Sequence, residues 1–339
     1  ATSTTHNQSR LPMPMYLSLS LLSSGVAIPL PEQNGLPKSA HVIDRESILA
    51  VNAALATGRP LLVRGEPGTG KSQLARAVAQ VLGRAFVQHA VDSRTETRDL
   101  LWSLDAVARL AEAQLIGSLR DANTDDVHRR IAIENFVHPG PLWWAFDWKS
   151  AEAQARRVQI GSPLTPADWQ TTKGVVVLID EIDKADPAVP NGLLDALGHG
   201  RFDVPGRAAV SMEATNRPLV LITTNEERSL PDAFLRRCLV LHLSLPRAQD
   251  ALLKALVERG RAHFDARTCR DGVLRAAAEQ LAKDREEFSS RGLSPPGLAE
   301  YIDLLRAVSE QEKSETKQLD LLLEISKFAF QKHQQVGSL

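Results

Sequence analysis

Residues 65 to 72 read Gly65-Glu66-Pro67-Gly68-Thr69-Gly70-Lys71-Ser72, a complete GxxxxGK[ST] spacing. Glycines let the backbone wrap an anion with its amides inward, and a helix that starts at the lysine aims its positive end at the same anion. Lys71 then reaches β- and γ-phosphate oxygens, while the Ser72 hydroxyl serves as a magnesium ligand. The alternative, a glycine turn joining strand to helix, is disfavoured by the pattern's position between a buried strand and a helix. Further along, the run Val175 to Ile179 ends in Asp180 and Glu181. Acids at the carboxyl end of a parallel strand lie where such folds bind ligands. Beside a phosphate loop, Asp180 would hold magnesium through water and Glu181 would orient and deprotonate an attacking water. A helix N-cap is the plainer reading of that pair, and Asp183 serves it equally well. The run Leu219 to Thr223 leads to Thr224 and Asn225, whose amide suits a γ-phosphate or a lytic water, or only a turn. Arg236 and Arg237 stand beside apolar residues in FLRRC, as a surface ion-pair couple or as cations projecting into a neighbouring subunit's site.

The elements that must hold these residues follow from apolar spacing. Ser47 to Thr57 has helical spacing closed by Gly58 and Pro60; Leu61 to Val63 is a short buried strand; Gln73 to Leu82 is a helix stopped by Gly83; Ala85 to Val91 is the next strand. Leu100 to Ile116 is predicted to be one helix with Leu101, Leu104, Val107, Leu110 and Leu115 on one side. Val175 to Ile179, Leu219 to Thr223 and Leu239 to Leu243 have the unbroken aliphatic character of central parallel strands. Strands alternating with helices predict an α/β, doubly wound parallel sheet. After Pro246, the stretches Ala248 to Arg261, Asp271 to Glu287, Pro296 to Ser309 and Lys317 to Lys332 are all helical in pattern. The organisation expected is a flexible or strapping arm over 1–40, an α/β core over 41–245 and a small all-helical lid over 246–339, without internal repeats.

Composition bounds the function classes. The chain has 339 residues, 43% hydrophobic and 24% charged, which suits a globular protein with a sizeable core. A net charge of -1 exerts no whole-molecule pull on nucleic acid or anionic lipid. Cys238 and Cys269 have no metal-ligand spacing, so neither a zinc site nor a disulfide framework is expected, in keeping with a reducing cytosol. No apolar run is long enough to span a bilayer. Met13 to Leu30 has a faint signal-peptide character, but Pro12, Pro14, Pro29 and Pro31 break it up, and a cytoplasmic location is the expectation.

The stretches GEPGTGKS, GPLWWAF, VLIDEIDKADPAVPNGLLDAL, GRFDVPG and LITTNEERSLPDAFLRRC together resemble the AAA+ ATPases, and more closely the MoxR branch with its dynein-related ATPase domain. The resemblance covers roughly residues 41 to 335. It implies a P-loop core with a helical lid, use of ATP with Mg2+, and a ring, usually hexameric, with active sites between subunits. It further implies that Asn225 is the sensor 1 residue, that Arg237 is the trans-acting arginine finger with Arg236 its neighbour, and that a partner carries a von Willebrand factor A domain. Two stretches depart from the family pattern. Ala151 to Arg157 lies in a long interval before Val175, and insertions there tend to form loops facing the pore or a partner; the adjacent Trp143 and Trp144 read as core. Ser294 to Glu300, where the lid should carry the sensor 2 arginine, has none, and Arg291 is the nearby substitute.

Three functions compete on these grounds. The leading one is a remodelling ATPase that moves a protein client as the lid rocks against the core. A nucleic-acid or restriction-type NTPase motor is disfavoured by the neutral charge and the absence of any basic tract longer than a pair. A nucleotide-gated scaffold or switch in a conflict system is motivated by the missing lid arginine. A metal-chelatase motor subunit is a minor variant. Base preference is expected to lie with His41 to Ile43 and the lid.

Overall fold

The computed structural model describes residues 16–17, 27–32, 38–118, 124–213 and 216–330. Most of the N-terminal arm therefore lies outside the described residues. What is described of it is tied down: β1 (Ala27–Leu30) pairs antiparallel with β2 (Ser39–Val42), and Leu17, Ile28 and Leu30 are buried. Leu17 exchanges backbone hydrogen bonds with the Asn52 side chain at 2.8 and 3.0 Å.

Asp44 caps α1 (Arg45–Thr57) by accepting from the Ser47 amide at 2.7 Å, and Gly58 ends that helix. β3 (Leu61–Arg64), α2 (Lys71–Leu82) and β4 (Ala85–Ala90) follow. β5 (Trp102–Leu104) pairs antiparallel with β6 (Val137–Pro139), and between them run α3 (Ala106–Gly117) and α4 (Thr124–Arg130). α5 (Pro141–Phe146) and α6 (Trp148–Arg157) lead to β7 (Val175–Asp180). Then come α7 (Ala188–His199), the small pair β8 (Arg201–Phe202) and β9 (Val210–Ser211), β10 (Leu219–Thr224), α8 (Asp232–Arg237) and β11 (Leu239–His242). Four helices close the described chain: α9 (Gln249–His263), α10 (Asp271–Ser290), α11 (Leu298–Gln311) and α12 (Glu315–Phe330).

The main sheet is parallel, in the order β11-β3-β10-β7-β4. Period-two alternation sorts its side chains between two cores. Val176 and Leu178 of β7 join α1 and α2 on one face, whereas Val175, Val177 and Ile179 join α5, α6 and α7 on the other. The helices after Leu245 pack around a third core of their own, built on Leu256, Leu274, Leu281, Tyr301 and Leu305.

Three expectations are corrected. Leu100 to Ile116 is not one helix: Asp105 accepts from the Ala108 amide at 2.7 Å and caps a new helix, while residues 102–104 are consumed by pairing with β6. Val107, Leu110 and Leu115 face solvent rather than a core. β11 is an edge strand, not a central one, with Val240 exposed. Ala151 to Arg157 is no loop but most of α6, with Ala151 and Ala155 fully buried. The buried Gln154 donates to the carbonyls of Glu134 and Val137, each at 2.7 Å, so its polarity is satisfied inside the core. Trp143 and Trp144 are core residues, and the Trp143 indole donates to Ser150 Oγ at 2.8 Å.

Candidate nucleotide site

The loop from Gly65 to Gly70 leaves β3 at the carboxyl end of the sheet. Gly65 has φ 151°, and a Cβ there would stand 2.1 Å from the Leu243 carbonyl oxygen, so no other residue fits. Gly70, at φ 95°, turns the chain into α2. Thr69 Oγ1 closes the loop by donating to Glu66 O at 2.9 Å. Lys71, 7% exposed, folds its ammonium over the loop and donates to the carbonyls of Gly65 and Glu66 at 2.7 and 2.9 Å. Burial lowers the pKa of Lys71, and the carboxylates of Asp180, Asp183, Glu181 and Glu226 oppose that shift.

The two strand ends next to the loop bring in the acids. Ser72 Oγ donates to Asp180 Oδ1 at 2.8 Å, and Thr223 Oγ1 donates to the same oxygen at 2.6 Å. The Thr223 hydroxyl also accepts from the Glu181 amide at 2.8 Å. Glu181 has φ 61°, a left-handed conformation that a glutamate adopts only under constraint. Its carboxylate receives the Asn225 amide at 3.1 Å on one oxygen and the Lys184 ammonium on the other. That ammonium has its pKa raised, first by the hydrogen bond to Glu181. Asp183 does not cap α7: it sits in a tight turn, buried, and accepts from the Glu227 amide at 3.0 Å.

Loop, acids and Asn225 line one cavity of about 390 Å³, with Pro67, Gly68, Gly70, Lys71, Ser72, Asp180 and Glu181 on its wall. The opposite wall comes from β2 and the helical lid: Ser39, His263, Leu298, Ile302 and Arg306. The Ser39 hydroxyl is buried and has no partner among the described residues. The lid also touches the loop directly. Ala299 N donates to Gly68 O at 3.1 Å, and Arg285 donates to Glu66 Oε2 at 2.9 Å and to the Pro296 carbonyl at 2.5 Å.

Arg306 and Arg285 escaped the sequence reading because only tertiary packing brings α10 and α11 to the loop. Arg306 lies one helical turn beyond Ile302, itself a wall residue, and that helical periodicity is the signal that marks it. Arg291 pairs with Glu287 at 2.7 Å and is not on the cavity wall. Arg236 and Arg237 are not on it either. They close α8, both exposed, and Arg237 stands 3.5 Å from Asp195 of α7.

The family model described as AAA domain (dynein-related subfamily) matches residues 60–259, more than half of the chain and the whole stretch from β3 through β11 into α9. The chain belongs to this AAA family. As an AAA protein with an intact phosphate loop, it is an ATP-hydrolysing enzyme with a P-loop fold. Among curated proteins it is similar to midasin of Giardia intestinalis, with 24% identity over 203 residues, or 58% of this chain and 3% of midasin. It is also similar to a mitochondrial Lon protease homolog of Phaeodactylum tricornutum, with 26% identity over 284 residues, or 75% of this chain and 25% of that protein. The AAA chain thus spans a quarter or less of the length of these relatives. Among solved structures, a variant of Thermotoga maritima RuvB aligns with a TM-score of 0.42 and 18% identity, over 83% of this chain and 68% of the other. No helix among the described residues is long and apolar enough to cross a membrane.

Proposed function

We propose that this AAA protein is a MoxR-like remodelling ATPase that turns over ATP at sites shared between the subunits of a ring and works on a protein client. The observation that carries the reading is a division of labour on the surface. Lys71, Ser72, Asp180, Glu181 and Asn225 line one cavity, while Arg236 and Arg237 stand outside it, exposed, where a neighbouring subunit can be reached. In this reading the amides from Gly65 to Gly70 and the Lys71 ammonium bind the β- and γ-phosphates. Ser72 and Asp180 form a hard-oxygen pair suited to magnesium, and with no cluster of three or more acidic, His or Cys ligands among the described residues, phosphate and water oxygens would complete the shell. Magnesium, when bound, supplies charge neutralisation at the phosphates. Glu181 takes a proton from the attacking water, and Asn225 orients that water and the γ-phosphate. Arg237 of one subunit would stabilise charge on the phosphoryl group held by the next.

Arg306 on the cavity wall favours turnover over a pure switch, because it offers a lid cation where the Ser294 to Glu300 stretch has none. Lid motion driven by the nucleotide would move the client. A partner with a von Willebrand factor A domain, a hexameric ring and a cytoplasmic location are supported by the resemblance to the MoxR branch.

Hydrolysis by the wild type, Glu181→Gln and Arg237→Ala, each across a concentration series with mass photometry alongside, tests the reading. Turnover per subunit should rise as rings form, and both variants should bind ATP yet lose about 10²-fold or more in rate, the usual scale for a transition-state group. A monomeric wild type whose rate is independent of concentration, or an Arg237→Ala protein as active as the wild type, overturns it.

A further inference from the structure

We infer that Arg59, which lies outside the nucleotide cavity, is the positioning residue for the arginine segment that one subunit presents to the next. The inference rests on the shared-site reading above. Arg59 sits in the turn between α1 and β3, and its backbone is pinned on both sides. Gly58, at φ 65°, donates to Ala54 O at 2.9 Å to close α1, and Pro60 accepts from the Leu239 amide at 2.9 Å as β11 begins. From that base the guanidinium reaches across to the end of α8 and donates to three successive carbonyls. Nε donates to Arg237 O at 3.1 Å, and Nη2 donates to Cys238 O at 3.2 Å and to Arg236 O.

The carbonyls of Arg236 and Arg237 are the last of a six-residue helix, which lack intrahelical partners and carry the negative end of its dipole, and the third belongs to Cys238, the extended residue that follows it. A planar fork with fixed donor directions can span them, whereas a lysine ammonium is a single point charge on a flexible stem. Arg59 therefore fixes the backbone from which the Arg236 and Arg237 side chains project, and it ties that backbone to the first residues of the strand leading into the phosphate loop. Among the described residues, the Arg237 side chain is otherwise held only by a weak contact, with Asp195 at 3.5 Å. A cation that must meet a phosphoryl group on another subunit needs such a base, because misplacement by about 1 Å can cost about 10²-fold in rate.

Arg59→Ala and Arg59→Lys, assayed alone and in equimolar mixtures with Glu181→Gln, test the inference, with Arg237→Ala plus Glu181→Gln as the parallel mixture. Both Arg59 variants should bind a fluorescent ATP analogue within about twofold of wild type, assemble, and lose at least about tenfold of ring-dependent hydrolysis. In the mixture, Glu181→Gln subunits lack a base but present an intact arginine segment to the sound site of an Arg59→Ala neighbour. Activity should then exceed that of either protein alone, an outcome that damage to folding or to the variant's own site does not produce. Wild-type rates in both Arg59 variants overturn the inference. So does a mixture with Arg59→Ala that stays inactive while the mixture with Arg237→Ala recovers. If neither mixture recovers, the shared-site reading itself fails and takes this inference with it.

Discussion

Glu181, Asn225 and Lys184 form a chain of polar contacts in which the proposed base is held by two donors at the end of a buried strand. The left-handed conformation of Glu181 carries a cost of about 1–3 kcal/mol, sustained here by the Thr223 hydroxyl on its amide. Gly65 shows a harder constraint at the same scale, since a Cβ there meets backbone rather than a movable side chain. Gly65→Ala should abolish measurable ATP binding by displacing the loop from Leu243, and titration with a fluorescent analogue checks this. Arg306 and Arg291 separate the two candidate lid cations. Arg306→Ala should raise KM for ATP and lower kcat together, whereas Arg291→Ala, which removes only an exposed pair with Glu287, should leave both within about twofold, as most surface changes do. Steady-state kinetics on the two variants decides between them.

At the scale of elements, the lid is latched to the phosphate loop at two points: Arg285 on Glu66, and the start of α11 on Gly68. Glu66 is thus a loop residue whose side chain points at the lid. Its side chain is 42% exposed, so screening keeps the pair's worth to about 1 kcal/mol or less. A double-mutant cycle on Glu66→Ala and Arg285→Ala should nevertheless show non-additive acceleration of nucleotide release, and additive effects would mean that the pair does not act as a latch. The elements also divide by how much of them local sequence can carry. The phosphate loop and the buried strands were legible because backbone approach to an anion demands glycines and a sheet covered on both faces demands aliphatic runs. α6 was not, because its burial depends on Gln154 finding two distant carbonyls. α3 misled for the opposite reason: Val107, Leu110 and Leu115 have core-like spacing, yet no element packs over them among the described residues. Arg285 and Arg59 act through contacts between elements far apart in the chain, which spacing along one element does not encode.

At the scale of the whole molecule, lid and core meet at β2, where His41 packs beneath α9 with Arg259, Asp44 and His263 around it. Burial, and then Arg259, push the His41 pKa from 6.5 down to about 4, against the pull of Asp44. His263 is lowered in the same direction by burial and by Arg306, opposed by a hydrogen bond with the Ala40 backbone. In the folded protein His41 is therefore neutral at pH 6, where in the unfolded chain it is partly protonated. The unfolded state binds more protons between pH 6.5 and 4, so the stability tied to His41 is complete above 6.5, falls as pH drops through that window, and levels off below 4. The full shift corresponds to about 3 kcal/mol, since each unit is worth about 1.4 kcal/mol. Because these groups line the joint rather than the interior of either core, acidification should loosen the lid before it unfolds the sheet. Thermal melts from pH 7 to 5, with hydrogen exchange resolved by segment, should show protection lost first in β2 and α9. His41→Gln should flatten the pH dependence, and an unchanged slope in that variant would remove His41 as its source.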